Sequence, residues 1–128
     1  MALRCIIVDD SPGFLRVASN LLRQDGICVV GVAATGEEAV ACSRALRPDV
    51  ALVDINLGEE SGFTVVRELA EENGASARAL ILISTHAEEE LAELIEASPA
   101  VGFLAKSDVG AAAIESLLAR ARADQGGG

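Results

Sequence analysis

The sequence predicts an α/β domain: a doubly wound parallel sheet of five strands, with five helices packed on its two faces in three layers. Three observations predict it. Five short apolar runs alternate with five helical patterns along the chain. The runs are nearly continuous in Val, Ile, Leu and Ala, which marks strands covered on both faces. Strand–helix alternation with right-handed crossovers then favours the doubly wound topology.

The first run, Leu3–Val8, ends at Asp9-Asp10. Ser11-Pro12 opens the first helix, with a hydroxyl for the N-cap and a proline that lacks the orphan N–H anyway. Phe14, Ala18, Leu21 and Leu22 share its inward face, and Asp25-Gly26 ends it. The second run, Cys28–Ala33, ends without a reactive group. Thr35-Gly36-Glu37-Glu38 opens the second helix, Ala39, Cys42 and Leu46 face inward, and Arg47-Pro48 stops it. The third run, Val50–Val53, ends at Asp54. A third helix from about Gly62 buries Phe63, Val66, Leu69 and Ala70 and closes at Asn73-Gly74. The fourth run, Ala79–Ile83, ends at Ser84. A fourth helix, Ala87 to about Ala97, turns Leu91, Leu94 and Ile95 inward and its glutamates elsewhere. The fifth run, Val101–Ala105, ends at Lys106, and a last helix from near Ser107-Asp108 packs Ile114, Leu117, Leu118 and Ala121. Residues 1–123 read as one domain, and 124–128 as a flexible tail or the start of a linker.

A chain of 128 residues that is 51% hydrophobic can build one real core, and with 2% aromatics that core is aliphatic. A formal net charge of -10 argues against nucleic acid or an anionic membrane as a direct partner and suits divalent cations. Cys5, Cys28 and Cys42 are odd in number and form no CxxC pair, so they read as buried, reduced thiols of a cytosolic protein. The single His86 has no nearby Cys, which argues against a zinc site. No apolar stretch nears the roughly 20 residues that cross a bilayer, and the N-terminus has no signal-peptide pattern. The expectation is a soluble, cytoplasmic domain without membrane contact.

Parallel strands of one sheet end at one edge, where open α/β sheets place ligands. Asp9, Asp10, Asp54, Ser84 and Lys106 then converge. Two carboxylates at ~4 Å repel by about 4 kcal/mol at an effective dielectric of ~20. Such a cluster persists when a cation neutralises it or one member keeps its proton. Oxygen-only ligands point to Mg²⁺, with Mn²⁺ able to substitute. Lys106 supplies a fixed charge for an oxyanion and Ser84 a hydrogen-bond donor. With strand order 2-1-3-4-5, Asp54 ends the middle strand and is best placed as a nucleophile. Its attack on phosphorus gives an aspartyl phosphate.

These residues at this spacing resemble the receiver domain of two-component response regulators, over about Leu3 to Arg122. The resemblance implies a flavodoxin-like fold. It implies that Asp9 and Asp10 bind Mg²⁺, that Asp54 is the phosphoacceptor, and that the backbone carbonyl of Asn56 is a further metal contact. It makes Ser84 the switch hydroxyl, with Thr85 as its rival, and Lys106 the phosphoryl-binding lysine. It makes Phe103 the aromatic switch and Gly62 the glycine that closes the acceptor loop. Asn56 and His86 would flank the water that attacks in dephosphorylation. Three departures stand out. Gly58 replaces a usual proline, which favours a more mobile loop. Ser107 follows Lys106 where a proline is frequent. Thr85 stands where a smaller residue is usual and crowds the phosphoryl group.

The implied function is a phosphorylation switch rather than an enzyme. A histidine kinase, a phosphotransfer protein or a small acyl phosphate supplies the phosphoryl group. The face made by the fourth helix, fifth strand and fifth helix then changes its affinity for a partner, a second copy included. The stretch Gly102–Asp108 resembles the branch whose members regulate transcription through a helix-turn-helix domain, and no such domain lies within these residues. Two alternatives come from other classes. One is a pseudo-receiver interaction module that is never phosphorylated. The other is a Mg²⁺-dependent phosphohydrolase with an Asp nucleophile, although Asn56 occupies the place its general acid would need. A dinucleotide-binding domain fails because residues 9–13 hold no glycine-rich phosphate turn.

Overall fold

A computed structural model describes residues 3–73, 79–85 and 88–126. In chain order its elements are β1 (Arg4–Val8), α1 (Pro12–Gln24), β2 (Cys28–Ala33), α2 (Gly36–Leu46) and β3 (Val50–Asp54). A short antiparallel hairpin follows, β4 (Asn56–Leu57) and β5 (Glu60–Ser61). Then come α3 (Gly62–Asn73), β6 (Ala79–Ser84), α4 (Glu88–Ala97), β7 (Gly102–Ala105) and α5 (Ala111–Gly126).

Caps fix the helix starts. The Ser11 hydroxyl accepts the Phe14 N–H at 3.4 Å, with Pro12 in the first turn. At α2 the Thr35 hydroxyl accepts the Glu38 N–H at 3.1 Å, while the Glu38 carboxylate reaches back to the Ala34 N–H at 3.1 Å. Arg47 ends α2 at φ 47°, the left-handed position that glycine usually takes.

The main sheet runs β2-β1-β3-β6-β7, all parallel. With the hairpin set aside this is the expected 2-1-3-4-5 order. Side chains alternate between two cores. Cys5, Ile7, Leu52, Ile81 and Ile83 pack with Ala18 and Leu22 of α1 and Ile114 and Leu117 of α5. Ile6, Val8, Val53, Leu80 and Leu82 pack with Ala39 of α2, Val65, Val66 and Leu69 of α3, and Ile95 of α4. The central strands are thus covered on both faces, as their unbroken apolar runs require. This is the flavodoxin-like three-layer fold.

Some sequence expectations give way. Leu21 is 41% and Leu94 55% exposed, because each sits at the rim of its helix's apolar stripe rather than its centre. Cys28 is exposed, since it opens β2, an edge strand with a neighbour on one side only. Cys5 is buried, and burial pushes its thiol up to about 12; Cys42 is half-buried and pushed in the same direction by burial. Gly31 leaves the room Cys42 needs, since a Cβ there would meet its Sγ at 2.7 Å. The last helix starts later than expected. Lys106–Asp108 form a single 3-10 turn, and Val109 then inserts into the core before α5 begins. No helix among the described residues is long and apolar enough to cross a membrane.

Candidate functional site

Strand register sets the site. Val8 of β1 lies beside Val53 of β3, so Asp9 and Asp54 leave neighbouring strands at the same level. Asp54 lies beside Ile83, and Ser84 beside Ala105, so Ser84 and Lys106 reach the same edge from β6 and β7. The ladder continues past the strand ends. The Asp9 N–H donates to the Ala33 carbonyl at 2.9 Å and the Ile55 N–H to the Ile83 carbonyl at 3.0 Å. These bonds hold the backbones that carry the acids.

Asp9 is fully buried and Asp54 is 5% exposed, while Asp10 faces solvent. Carboxylate oxygens of Asp9, Asp10 and Asp54 all lie within 4.8 Å of one another. The Ser11 N–H donates to Asp9 Oδ1 at 2.8 Å, and the Asn56 N–H donates to Asp54 Oδ1 at 3.1 Å. Lys106 Nζ bridges the other two oxygens. It lies 2.7 Å from Asp9 Oδ2, as an ion contact without directional hydrogen-bond geometry, and hydrogen-bonds Asp54 Oδ2 at 3.1 Å. The ammonium also sits 4.7 Å from the centre of the Phe14 ring, a cation–π contact.

The electrostatics follow from this crowding. Burial pushes the Asp54 carboxyl up and the Asp9 charge adds to it; the Asn56 N–H and Lys106 pull it back without cancelling the rise. Burial alone would lower Lys106, but its contacts with Asp9 and Asp54 outweigh that and hold the ammonium above its usual range. One ammonium faces three carboxylates. The deficit of positive charge, an all-oxygen donor set and a gap of ionic size fit a hard divalent cation such as Mg²⁺.

The remaining predicted residues fall around this centre. Ser84 is buried at the end of β6. Asn56 is exposed and begins the hairpin. Gly62 packs against the Asp54 carbonyl and donates its N–H to the Ile55 carbonyl at 2.7 Å; a Cβ there would meet Asp54 O and lie 2.7 Å from Ile55 Cα. Phe103 is inward, buried in the same core cluster as Ile95 of α4. Gly58 turns the hairpin tip at φ +60°. Thr85 and Ser107 are exposed and, with Phe14, Val17 and Leu21, line an apolar groove beside Lys106. His86 lies outside the described residues. Sequence reasoning missed two participants. Phe14 reads as ordinary core on α1, and its place beneath Lys106 has a signal only in its being one turn past the Asp9-Asp10 pair. Glu60 belongs to no motif along the chain.

Comparisons with known proteins agree with this geometry. The family model described as response regulator receiver domain matches residues 5–118. A protein-glutamate methylesterase/protein-glutamine glutaminase of Methanosarcina acetivorans is 37% identical over 110 residues, 83% of this chain and 30% of that protein. Its counterpart in Archaeoglobus fulgidus is 33% identical over 108 residues, again 83% of this chain and 30% of the relative. The chain therefore spans about a third of these relatives or less. Among solved structures, the receiver domain of the response regulator NarL from Mycobacterium tuberculosis superposes with TM-score 0.79 at 27% identity, covering 94% of this chain and 97% of that one. The response regulator domain of Thermotoga maritima CheB superposes with TM-score 0.73 at 26% identity, covering 86% and 81%. These curated relatives are methylesterases, not transcription regulators, so the sequence-level expectation of a transcriptional output is left without support. Fold, strand-end acids and family model lead to one conclusion: the chain belongs to the response regulator receiver domain family.

Proposed function

We propose that this domain is a phosphorylation switch that takes a phosphoryl group on Asp54. The observation that carries the reading is the bridge from Lys106 Nζ to Asp9 and Asp54, 2.7 and 3.1 Å long, inside a three-carboxylate cluster. An Asp54 oxygen attacks phosphorus. The P–N bond of a phosphohistidine donor, or the P–O bond of an acyl phosphate, breaks with its electron pair leaving on the donor. Lys106 turns from the carboxylates to the phosphoryl oxygens, where its charge meets the charge that develops. Mg²⁺ held by Asp9, Asp10, Asp54 and the Asn56 carbonyl would screen the acids from the incoming phosphoryl group.

The Ser84 hydroxyl then bonds a phosphoryl oxygen, the loop after it repacks, and Phe103 keeps or takes its inward place. The face of α4, β7 and α5 changes its affinity for a partner, a second copy of the chain among them. This is a shift between two populations biased by one local charge change. The donor is a histidine kinase or phosphotransfer protein of the cytoplasm, and the groove beside Lys106 gives it an apolar surface to rest on. The matched relatives are methylesterases, which favours control of a methylesterase activity as the output. Asn56 and His86 set the phosphoryl lifetime, and His86→Ala is expected to change the decay rate several-fold; an unchanged rate removes that role.

Intact-mass spectrometry after incubation with acetyl phosphate and Mg²⁺ tests the proposal. A phosphoryl-sized gain is expected in wild type, and none in Asp54→Asn or with a chelator. An inert wild type favours the pseudo-receiver interaction module. Turnover of a phosphate ester favours the phosphohydrolase.

A further inference from the structure

The segment that follows Asp54 is tied down at both ends. The Gly62 N–H closes it onto the Ile55 carbonyl, and Asn56 pairs with Ser61 and Leu57 with Glu60. One strand of this hairpin presses the Asn56 N–H onto Asp54 Oδ1. Its tip, Gly58, lies against Asp10, where a Cβ would stand 3.5 Å from Oδ2. The hairpin therefore sets the backbone on one wall of the acidic cluster. Two residue pairs are too few to hold a hairpin by themselves.

A contact from a distant element supplies the rest. Glu60 Oε1 accepts the Gly36 N–H at 3.0 Å. Gly36 is the first residue of α2, and a helix start leaves its early N–H groups without partners. Thr35 takes the Glu38 N–H and Glu38 takes the Ala34 N–H, while the Gly36 N–H goes to Glu60. The positive end of the helix favours a carboxylate there. The approach is close: a Cβ on Gly36 would meet Glu60 Oε2 at 2.6 Å and Val65 Cγ2 at 3.0 Å.

We propose that Glu60 is a positioning residue: by latching the β4–β5 hairpin to the start of α2, it sets the Asn56 backbone against Asp54 and tunes the cluster's affinity for a divalent cation. The idea rests on the phosphorylation-switch reading for its purpose, but not for its test. Amide hydrogen exchange in chelator and Mg²⁺ titration by calorimetry are run on wild type, Glu60→Ala, Glu60→Gln and the neighbouring exposed Glu59→Ala. Glu60→Ala should speed exchange at Asn56 and Gly62 and weaken Mg²⁺ binding roughly two- to fivefold. Glu60→Gln, which keeps the acceptor, should recover most of both, and Glu59→Ala should match wild type. Unchanged Asn56 exchange or wild-type Mg²⁺ affinity in Glu60→Ala overturns the latch. Faster exchange spread evenly through β1 and β3 overturns it too, since the effect would then be general destabilisation. A wild type that takes neither Mg²⁺ nor a phosphoryl group refutes the switch reading, and with it the tuning role; the exchange data then still report whether the tether exists.

Discussion

Replacing Lys106 by Met keeps the aliphatic stem over Phe14 and deletes the ammonium. At ~3 Å and an effective dielectric of ~20, each of its two carboxylate contacts is worth about 5 kcal/mol gross, most of it offset by desolvation. The measurable loss is the cost of leaving Asp9, fully buried, and Asp54, 5% exposed, without a counter-charge. Breaking a buried pair costs about 3–5 kcal/mol. Because the lysine side chain is itself 17% exposed, the low end applies, about 3 kcal/mol. At roughly 3–4 °C per kcal/mol for a chain of this size, the melting temperature in chelator should fall by about 10 °C. Mg²⁺ should restore much of it. A hundredfold excess over Kd stabilises any binder by about 2.7 kcal/mol, and the variant should bind the ion more tightly than wild type, having lost the competing ammonium. The pH dependence has a definite sign. Lys106 is raised above its usual 10.5, so its contribution is complete below 10.5 and fades as pH climbs through the higher folded value. The gap between wild type and variant should thus be level near neutrality and close in strong base. It should also narrow in acid, as the Asp54 carboxyl, raised by burial, takes its proton. Thermal unfolding followed by circular dichroism, with and without Mg²⁺, reads all of this. A loss under about 0.5 kcal/mol in chelator, the scale of an exposed pair, would refute the reasoning.

Asp54→Asn should stabilise the domain in chelator at neutral pH. Its carboxyl is raised by burial, so the native state favours the proton; the advantage is present below 3.8 and lost as pH rises through the folded value, where the buried charge appears. Urea titrations of the two proteins should diverge from acid to neutral pH, and parallel curves contradict the shift. Gly62→Ala drives a Cβ into the Asp54 carbonyl and Ile55 Cα, both backbone, and should cost about 3 kcal/mol in the same titration; a cost under about 1 kcal/mol would show that the loop yields easily. Phe14→Leu removes the ring under Lys106 while keeping an apolar side chain, and should cost about 0.5–2 kcal/mol more in wild type than in Lys106→Met. Equal costs in both backgrounds would mean that Phe14 only packs.

The acids and the lysine were legible because topology does the assembly. Asp9, Asp54 and Lys106 are far apart in sequence, but each is the first polar residue after an unbroken apolar run, and parallel strands end together. Helix starts were legible for a local reason, since Ser11-Pro12 and Thr35 carry their own caps. The late start of α5 was not. Ser107-Asp108 imitates a cap, and only the core contact of Val109 delays the helix. Glu60 and Phe14 were illegible as participants for a different reason. Their partners, Gly36 and Lys106, come from other elements, and no spacing along the chain encodes those meetings.

The same crowding that identifies the site also suits the switching role proposed for it. A cluster of three carboxylates with one ammonium is short of positive charge in the absence of metal. The fold tolerates this because its cost is small beside the burial of the two aliphatic cores on either side of the sheet. A divalent cation relieves the repulsion. In the proposed switch, a phosphoryl group on Asp54 would change it again and draw Lys106 away from Asp9. Each step alters the balance by a few kcal/mol, on the order of what moves a two-state equilibrium from mostly one form to mostly the other. The rigid sheet contributes fixed positions for the charges. In the proposed switch, the hairpin and the Ser84 end of β6 would be the parts that respond. A better-neutralised cluster would make a more stable domain and a poorer switch.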